Sequence, residues 1–343
     1  MATQVMDWYR IPLDRQTLAA FTRKSDLRGW LQAGSFLLIF ACTAAAATVC
    51  FLHRLWVPMV LLCYLHSLFH QMVGMAAAVH ELSHGTAFKS RAVNEVFYNL
   101  FCFLTWNNPV HFRASHMLHH QYTLHRGLDK EVIQGPVRER LNWVGWLRWL
   151  TFDFTWFWIL ARTMVLHAFG DADAEYFSWD PLFAKDDPRR AAMVRWARIA
   201  LAGYAVLIAV FAVSGLWVLI YLVVFGSFFA TVIGNLTGSI QHLGLASSVP
   251  DWRLVCHTVT VNPVVAYLYW NMNYHTEHHM YAAVPFWQLP RFYEAVAAGM
   301  QVPVKGFLGG LALVLSIKRK QKEDPAYIHV PRFPEGAAPP KWT

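Results

Sequence analysis

Eight of the 17 histidines fall in three short clusters. His80 and His84 stand in HELSH; His116, His119 and His120 in HMLHH; His275, His278 and His279 in HTEHH. On a helix, residues three and four apart share a face, so each cluster lines its imidazoles along one stripe. Gathered together and protonated they would repel, and left neutral and unpaired near a bilayer they would be costly. A bound metal resolves both problems. Neutral imidazole suits iron, copper, zinc and nickel, so nitrogen ligands alone do not choose the metal. Eight ligands are too many for one ion with an open coordination position and suit two ions. A single helical histidine pair is more often structural than metal-binding; the argument rests on the three clusters meeting.

Whether they can meet depends on the elements between them. The chain has 343 residues, 56% of them hydrophobic, and a positive mean hydropathy, which places it in the membrane class. Sixteen Trp and 24 Phe suit rings placed at a bilayer interface. Residues 33–52 and 57–79 are uncharged stretches long enough to cross a ~30 Å hydrocarbon core. Residues 199–213 and 216–236 form a second uncharged pair around the Ser214-Gly215 turn. The first of these is short, with Arg195 and Arg198 snorkelling from its end. Residues 146–169 mix Arg148, Asp153 and Arg162 with many aromatics and read as helices lying at the interface. Residues 306–317 are too short to cross.

With four spans, all three clusters fall on one side. Basic residues before the first span, between spans two and three, and at Lys318, Arg319, Lys320 and Lys322 put that side and both termini in the cytoplasm. In a bacterium the membrane would be the inner one. The net charge of +8 flanks apolar segments and fits anionic lipid rather than nucleic acid. The five cysteines form no CxxC pair and indicate neither a disulfide framework nor a zinc ribbon. The first thirty residues lack a removable signal peptide. Residues 1–322 read as a single membrane domain and the proline-rich 323–343 as an extended or disordered tail.

HELSH, HMLHH and HTEHH resemble, in sequence and order, the three histidine boxes of the membrane fatty acid desaturase superfamily. The resemblance covers about residues 52–290, including the two spans between boxes two and three. It implies two iron ions held by the boxes and by one more histidine after the last span. His242, in SIQHLG, stands there. The expected ligand and catalytic set is therefore His80, His84, His116, His119, His120, His242, His275, His278 and His279. The implied fold is an all-α integral membrane protein, with two helical hairpins carrying a cytoplasmic helical cap. The cap holds the di-iron site, and the substrate chain enters a narrow apolar tunnel between cap and membrane.

The implied activity is oxygen-dependent desaturation of a long acyl chain with external electrons. The HxxxH form of box one and the stretch Asn273-Tyr274-His275 resemble acyl-lipid and sphingolipid-type enzymes. No fused cytochrome b5 signature is present, so a separate ferredoxin, rubredoxin or cytochrome b5 is implied as electron donor. Stearoyl-CoA desaturases have an Asn four residues before the extra histidine, where this chain has Gly238.

Ligating imidazoles usually donate their other N–H to a carboxylate or carbonyl. Glu81, Asp129, Glu131 and Glu277 are the candidates, with Glu277, inside box three, the first choice. His66 and His70 are read as packing residues within span two, and His111 and His125 as exposed or capping residues. His53, His167, His257 and His329 are given no function, and Trp106 with Asn107-Asn108-Pro109 a turn. Two other functions stay open. Hydroxylation of an alkyl, acyl or terpenoid chain would use the same boxes. A metal or ion transporter would need ionisable groups in several spans, where outside box one only His66 and His70 occur.

Overall fold

The computed structural model describes residues 6–132, 143–175 and 181–343. Among these the chain is mostly helical; its paired strands are the two-residue parallel segments Val259–Thr260 and Val304–Lys305.

Among the described residues three helices are long and apolar enough to cross a membrane: Asp26–Leu52, Trp56–Ser83 and Arg189–Val213. The first is opened by Ser25, whose side chain accepts from the Arg28 amide at 3.3 Å. It packs antiparallel on the second through small residues, with Ala44 and Ala47 letting Leu62, Cys63 and the later Val218 and Leu222 approach closely. Leu38, Val49, Leu61, Leu65, Val206 and Val210 point outward, which is stable where the surroundings are lipid. His66 ties three helices together. Its Nδ1 lies 2.7 Å from Thr43 Oγ1 and its Nε2 3.1 Å from the Leu222 carbonyl. His70 Nε2 donates to the Leu104 carbonyl at 3.0 Å, so both histidines serve packing as expected.

The second helix loosens between Gly74 and Ala77 and resumes as Ala78–Ser83, which carries box one. The third begins at Arg189, ten residues before the expected 199, so Arg195 and Arg198 lie within it. Arg198 Nε donates to the Ala168 carbonyl at 2.8 Å rather than reaching freely into an interface. Gly215, at φ 72, makes the turn that only glycine adopts without strain.

The expected fourth span, 216–236, is not continuous. An apolar helix over Trp217–Phe228 falls short of the ~20 residues of a straight crossing. The backbone then breaks at Ala230, with φ 49, before Val232–His242 continues. The break is enforced by residues 151–153, which approach like a strand. Asp153 N donates to Phe228 O and Ala230 N to Thr151 O, both at 2.8 Å. Asp153, one of the charges read as interfacial, is buried and accepts from Thr231 Oγ1 at 3.1 Å. The charge-poor run 216–236 gives no sign of a partner segment elsewhere that competes for its backbone.

Against the open end of these helices sit Arg91–Leu104, Pro109–Tyr122, Trp143–Leu150 and Phe154–Ala168, followed by His275–Met280 and Phe307–Glu323. Asn108 caps the helix of box two, its side chain accepting from Val110 N and His111 N, with Pro109 in the first turn. Phe88, Phe101, Phe112, Trp252, Trp270 and Phe292 fill the space between, all fully buried. Phe307–Glu323 packs on Val232–His242 where Gly310 meets Ile240 and Val259.

The two ends of the chain meet on a buried ion pair. Arg253 and Asp251 lie 2.7 Å apart with no side-chain exposure. Tyr9 N donates to Pro250 O at 2.8 Å, and the Arg253 guanidinium lies 4.0 Å from the Tyr9 ring centre. After Glu323 the chain has no regular secondary structure, yet Ala338 O accepts from Arg253 at 3.1 Å and Lys341 N donates to Asp251 at 2.9 Å.

Candidate metal centre

The nine expected histidines converge. Their nitrogens form two groups, His80, His84, His116, His120 and His278 in one, and His119, His242, His275 and His279 in the other; within each, all lie within 4.8 Å of one another. The Nε2 atoms approach closely: His80 to His278 at 2.9 Å, His84 to His116 at 3.0 Å, His119 to His242 at 3.2 Å, His275 to His242 at 2.8 Å.

Helix geometry explains the split. Successive residues point about 100° apart. In Pro109–Tyr122 the i, i+4 pair His116 and His120 joins the first group, and His119 turns to the second. In His275–Met280 the i, i+4 pair His275 and His279 joins the second group, and His278 crosses to the first. Boxes two and three thus send ligand atoms to both groups, while box one sends both of its histidines to the first.

Four of the other ring nitrogens are held by hydrogen bonds. His119 Nδ1 faces Asp129 Oδ2 at 2.9 Å, His116 Nδ1 faces Glu131 Oε2 at 2.8 Å, and His242 Nδ1 faces the Val255 carbonyl at 2.8 Å. Thr123 Oγ1 lies 3.0 Å from His279 Nδ1. Carboxylates and carbonyls accept only, and the Thr123 hydroxyl already donates to the His119 carbonyl at 2.6 Å, so these Nδ1 atoms carry the proton and their Nε2 atoms present lone pairs inward. Lone pairs facing each other at about 3 Å repel, and a cation between them turns that repulsion into bonding. Both ring nitrogens of His120 lack a hydrogen-bond partner, as a ligand awaiting an ion would. On this donor chemistry the residues fit a pair of metal ions.

Electrostatics agree. Burial pushes His84 and His242 down to about 3, with neighbouring His119 adding to the effect, so both stay neutral and able to ligate. Burial alone would also lower His119, but the charge and hydrogen bond of Asp129 carry it above the ordinary histidine value. Burial opposes ionisation of Asp129 too; His119 and backbone amides overcome it and hold the carboxyl below its usual value. Glu131 is pushed up to about 7 by burial, partly offset by His119.

Glu277, the favoured carboxylate partner, touches no imidazole nitrogen. Its Oε2 accepts from Thr258 Oγ1 at 2.8 Å, because on this short helix it points away from the stripe that carries His275 and His279. Glu81 accepts from Thr86 and from Phe286 N, and its free oxygen stands 3.8 Å from His278 Nδ1. Asp129 and Glu131 take the role instead. Asp129 organises the turn that holds both, accepting from Glu131 N at 2.9 Å and Val132 N at 3.1 Å.

His111 and His125 are corrected as well. Both are buried, His111 paired to Glu175 at 2.5 Å and His125 to the Thr123 carbonyl at 3.1 Å. The roles of Thr123 and the Val255 carbonyl were missed, and a backbone carbonyl has no sequence signal. Trp8 was missed too. It stacks on Trp252 at 3.7 Å and 8°, and Trp252 in turn lies 5.4 Å from the His279 ring, closing that side of the centre.

A cavity of about 430 Å³ borders the centre between the second helix, residues 148–159 and Val232–His242. Glu131, the partner of His116, and Gln241, next to His242, line it. Its wall also carries Gln71, Asn107, Ser227 and Asn235, so it differs from the expected narrow apolar tunnel.

Apolar helices of membrane-crossing length and a buried polyhistidine centre define a helical membrane protein with a metal-binding site. The fatty acid desaturase family model matches residues 54–304, most of the chain, and the protein belongs to that family. It is accordingly an oxidoreductase of the desaturase and hydroxylase type. Comparison with curated proteins returned no match.

Proposed function

We propose that the protein is an oxygen-dependent desaturase of a long acyl chain, with the nine histidines as ligands of two iron ions. The carrying observation is the division of those histidines into groups of five and four, with boxes two and three contributing to both. When bound, the irons supply the oxidising power, from dioxygen and external electrons, that breaks unactivated C–H bonds. The chain's residues do the rest. Asp129, Glu131 and the Val255 carbonyl hold protons on Nδ1 and so keep Nε2 basic toward the metal. Trp252, Trp8 and Phe112 exclude water from the histidines. The acyl chain approaches along the bordering cavity.

The topology we propose has four crossings, the fourth made by Trp217–Phe228 and its continuation. It is supported by the meeting of His84, which ends the second helix, with a centre shared by His242, because the chain between them must return to one side. Residues 1–322 then form one domain, with the centre and both termini cytoplasmic and 323–343 as its tail. The electron donor is a separate ferredoxin, rubredoxin or cytochrome b5, and the HxxxH spacing favours acyl-lipid or sphingolipid-type substrates.

The test is iron and zinc content of the wild type, His119→Ala and His278→Ala after iron reconstitution, with product analysis. About two irons per chain, lost in the variants, together with an alkene product, supports the reading. An alcohol product replaces desaturation by hydroxylation; failure of any metal to bind stoichiometrically defeats it.

A further inference from the structure

His84 stands just past the end of Ala78–Ser83, where a helix leaves its last carbonyls without partners of its own. Neighbouring helices supply those partners. Asn94 Nδ2 donates to the Leu82 carbonyl at 2.9 Å, and Arg113 Nε donates to the Ser83 carbonyl, the one beside His84, at 3.0 Å. A helix of six residues has little stability of its own, so the direction in which it sends His84 depends on what grips its end. Asn94 belongs to Arg91–Leu104, which carries no histidine, and Arg113 to Pro109–Tyr122, the helix of box two.

Arg113 is itself held firmly. Its two terminal nitrogens donate to the two oxygens of Glu95 at 3.0 and 2.8 Å, and its guanidinium lies 4.3 Å from the centre of the Tyr98 ring. The Tyr98 hydroxyl donates to the Pro109 carbonyl at 2.8 Å, at the start of the box-two helix. Three residues separate Arg113 from His116, so both lie on one side of that helix. A single planar fork thus ties the carbonyl beside His84 to the helix that carries His116, and the Nε2 atoms of these two histidines lie 3.0 Å apart.

The Arg113 and Glu95 side chains are 32% and 33% exposed, so their pairing adds little to the stability of the fold as a whole. What it fixes is the register of box one against box two. The four-histidine group draws on Pro109–Tyr122, Val232–His242 and His275–Met280 and takes nothing from Ala78–Ser83. We infer that Arg113, held by Glu95 and Tyr98, is the positioning residue that sets His84 against His116, and that it governs the metal position of the five-histidine group alone. This rests on the reading of the nine histidines as ligands of two ions.

The test is anaerobic calorimetric titration of the metal-free, full-length protein in detergent with Fe2+. Arg113→Met keeps the length of the side chain and removes its donors. It should bind one ion as the wild type does and the other ten- to a hundredfold more weakly, the range for loss of a group that orients a ligand. Two backgrounds assign the weakened position. Added to His279→Ala, which disables the four-histidine group, Arg113→Met should weaken the ion that remains; added to His84→Ala, which disables the five-histidine group, it should leave the remaining ion unchanged. Equal weakening of both ions, the mark of a general structural role, overturns the inference, and so does wild-type binding. If Arg113→Met does not fold, Glu95→Gln decides, since it removes the charge that holds Arg113 at a partly exposed position. A smaller loss confined to the same ion supports the inference; wild-type binding or loss of both ions overturns it. A wild type that binds no Fe2+ defeats the reading of the centre and this inference with it, whereas two ions without a selective loss defeat this inference alone.

Discussion

Replacing Asp129 by Asn isolates the carboxylate's contribution to the metal centre at almost no change in shape. Asp129 is buried and accepts four hydrogen bonds: His119 Nδ1 and Leu124 N on Oδ2, each at 2.9 Å, and Glu131 N and Val132 N on Oδ1 at 2.9 and 3.1 Å. An asparagine amide must turn its NH2 toward one of these two pairs of donors. In one orientation the bond to His119 is lost; in the other it survives as a neutral bond, about half as strong as the charge-assisted one. Either way His119 Nε2 becomes a poorer ligand. Loss of such a partner typically costs ten- to a hundredfold in metal affinity, or about 1.4–2.8 kcal/mol. The assay is iron retained per chain against a graded chelator series, with Glu277→Gln as control, since Glu277 bonds Thr258 rather than a histidine. Asp129→Asn should release iron at ten- to a hundredfold lower chelator, and Glu277→Gln should match the wild type. Wild-type retention in Asp129→Asn, or a loss confined to Glu277→Gln, would refute the reasoning.

Four further outcomes are expected. In the metal-free protein His84 and His242 are held near 3 and His257 near 4 by burial, so the unfolded chain takes up protons that the folded one refuses as pH falls below 6.5. Glu131 and Glu277, pushed to about 7 by burial, and His119, raised by Asp129, act oppositely, but are outnumbered once His116, His120, His275, His278 and His279, which burial also holds low, are counted. Melting temperature should therefore fall from pH 6.5 toward 4, and a flat or rising profile contradicts the assignment. Chelating the metal should lower the melting temperature at fixed pH, because metal binds the folded state preferentially, with calorimetry before and after chelation as the check. Arg253→Leu strands Asp251 as a buried charge and should cost about 3–5 kcal/mol, with the C-terminal segment becoming sensitive to protease. His66→Phe removes the bonds to Thr43 and Leu222 and should cost about 1–2 kcal/mol while leaving iron content unchanged; loss of iron would give span two a metal role instead of a packing one.

The centre was legible in the sequence because helix periodicity turns spacing into direction. HxxxH and HxxHH state which imidazoles share a stripe, and the resemblance supplied His242. What spacing leaves open is which neighbour each stripe faces, and so the crossing of His119 and His278 to opposite groups emerged only from the packing of the box helices. Glu277 misled for a related reason: adjacency to ligands along the chain is not adjacency in space. The break in the expected fourth span was not legible because its composition is apolar throughout, while the break is imposed by Thr151 and Asp153 from a distant segment. His111 is paired by Glu175, again far along the chain, so its polar character suggested exposure where burial holds.

The crossing of the boxes bears on how the protein is made. The group containing His80, His84, His116 and His120 is finished only by His278, and the group begun by His119 only by His279. Two adjacent residues, the last of the nine in chain order, complete both positions together. If the nine histidines hold metal as proposed, a nascent chain lacking box three has neither full set, and metal loading would wait until that box has left the ribosome. Truncation anywhere before residue 278 leaves two incomplete sites rather than one intact and one missing.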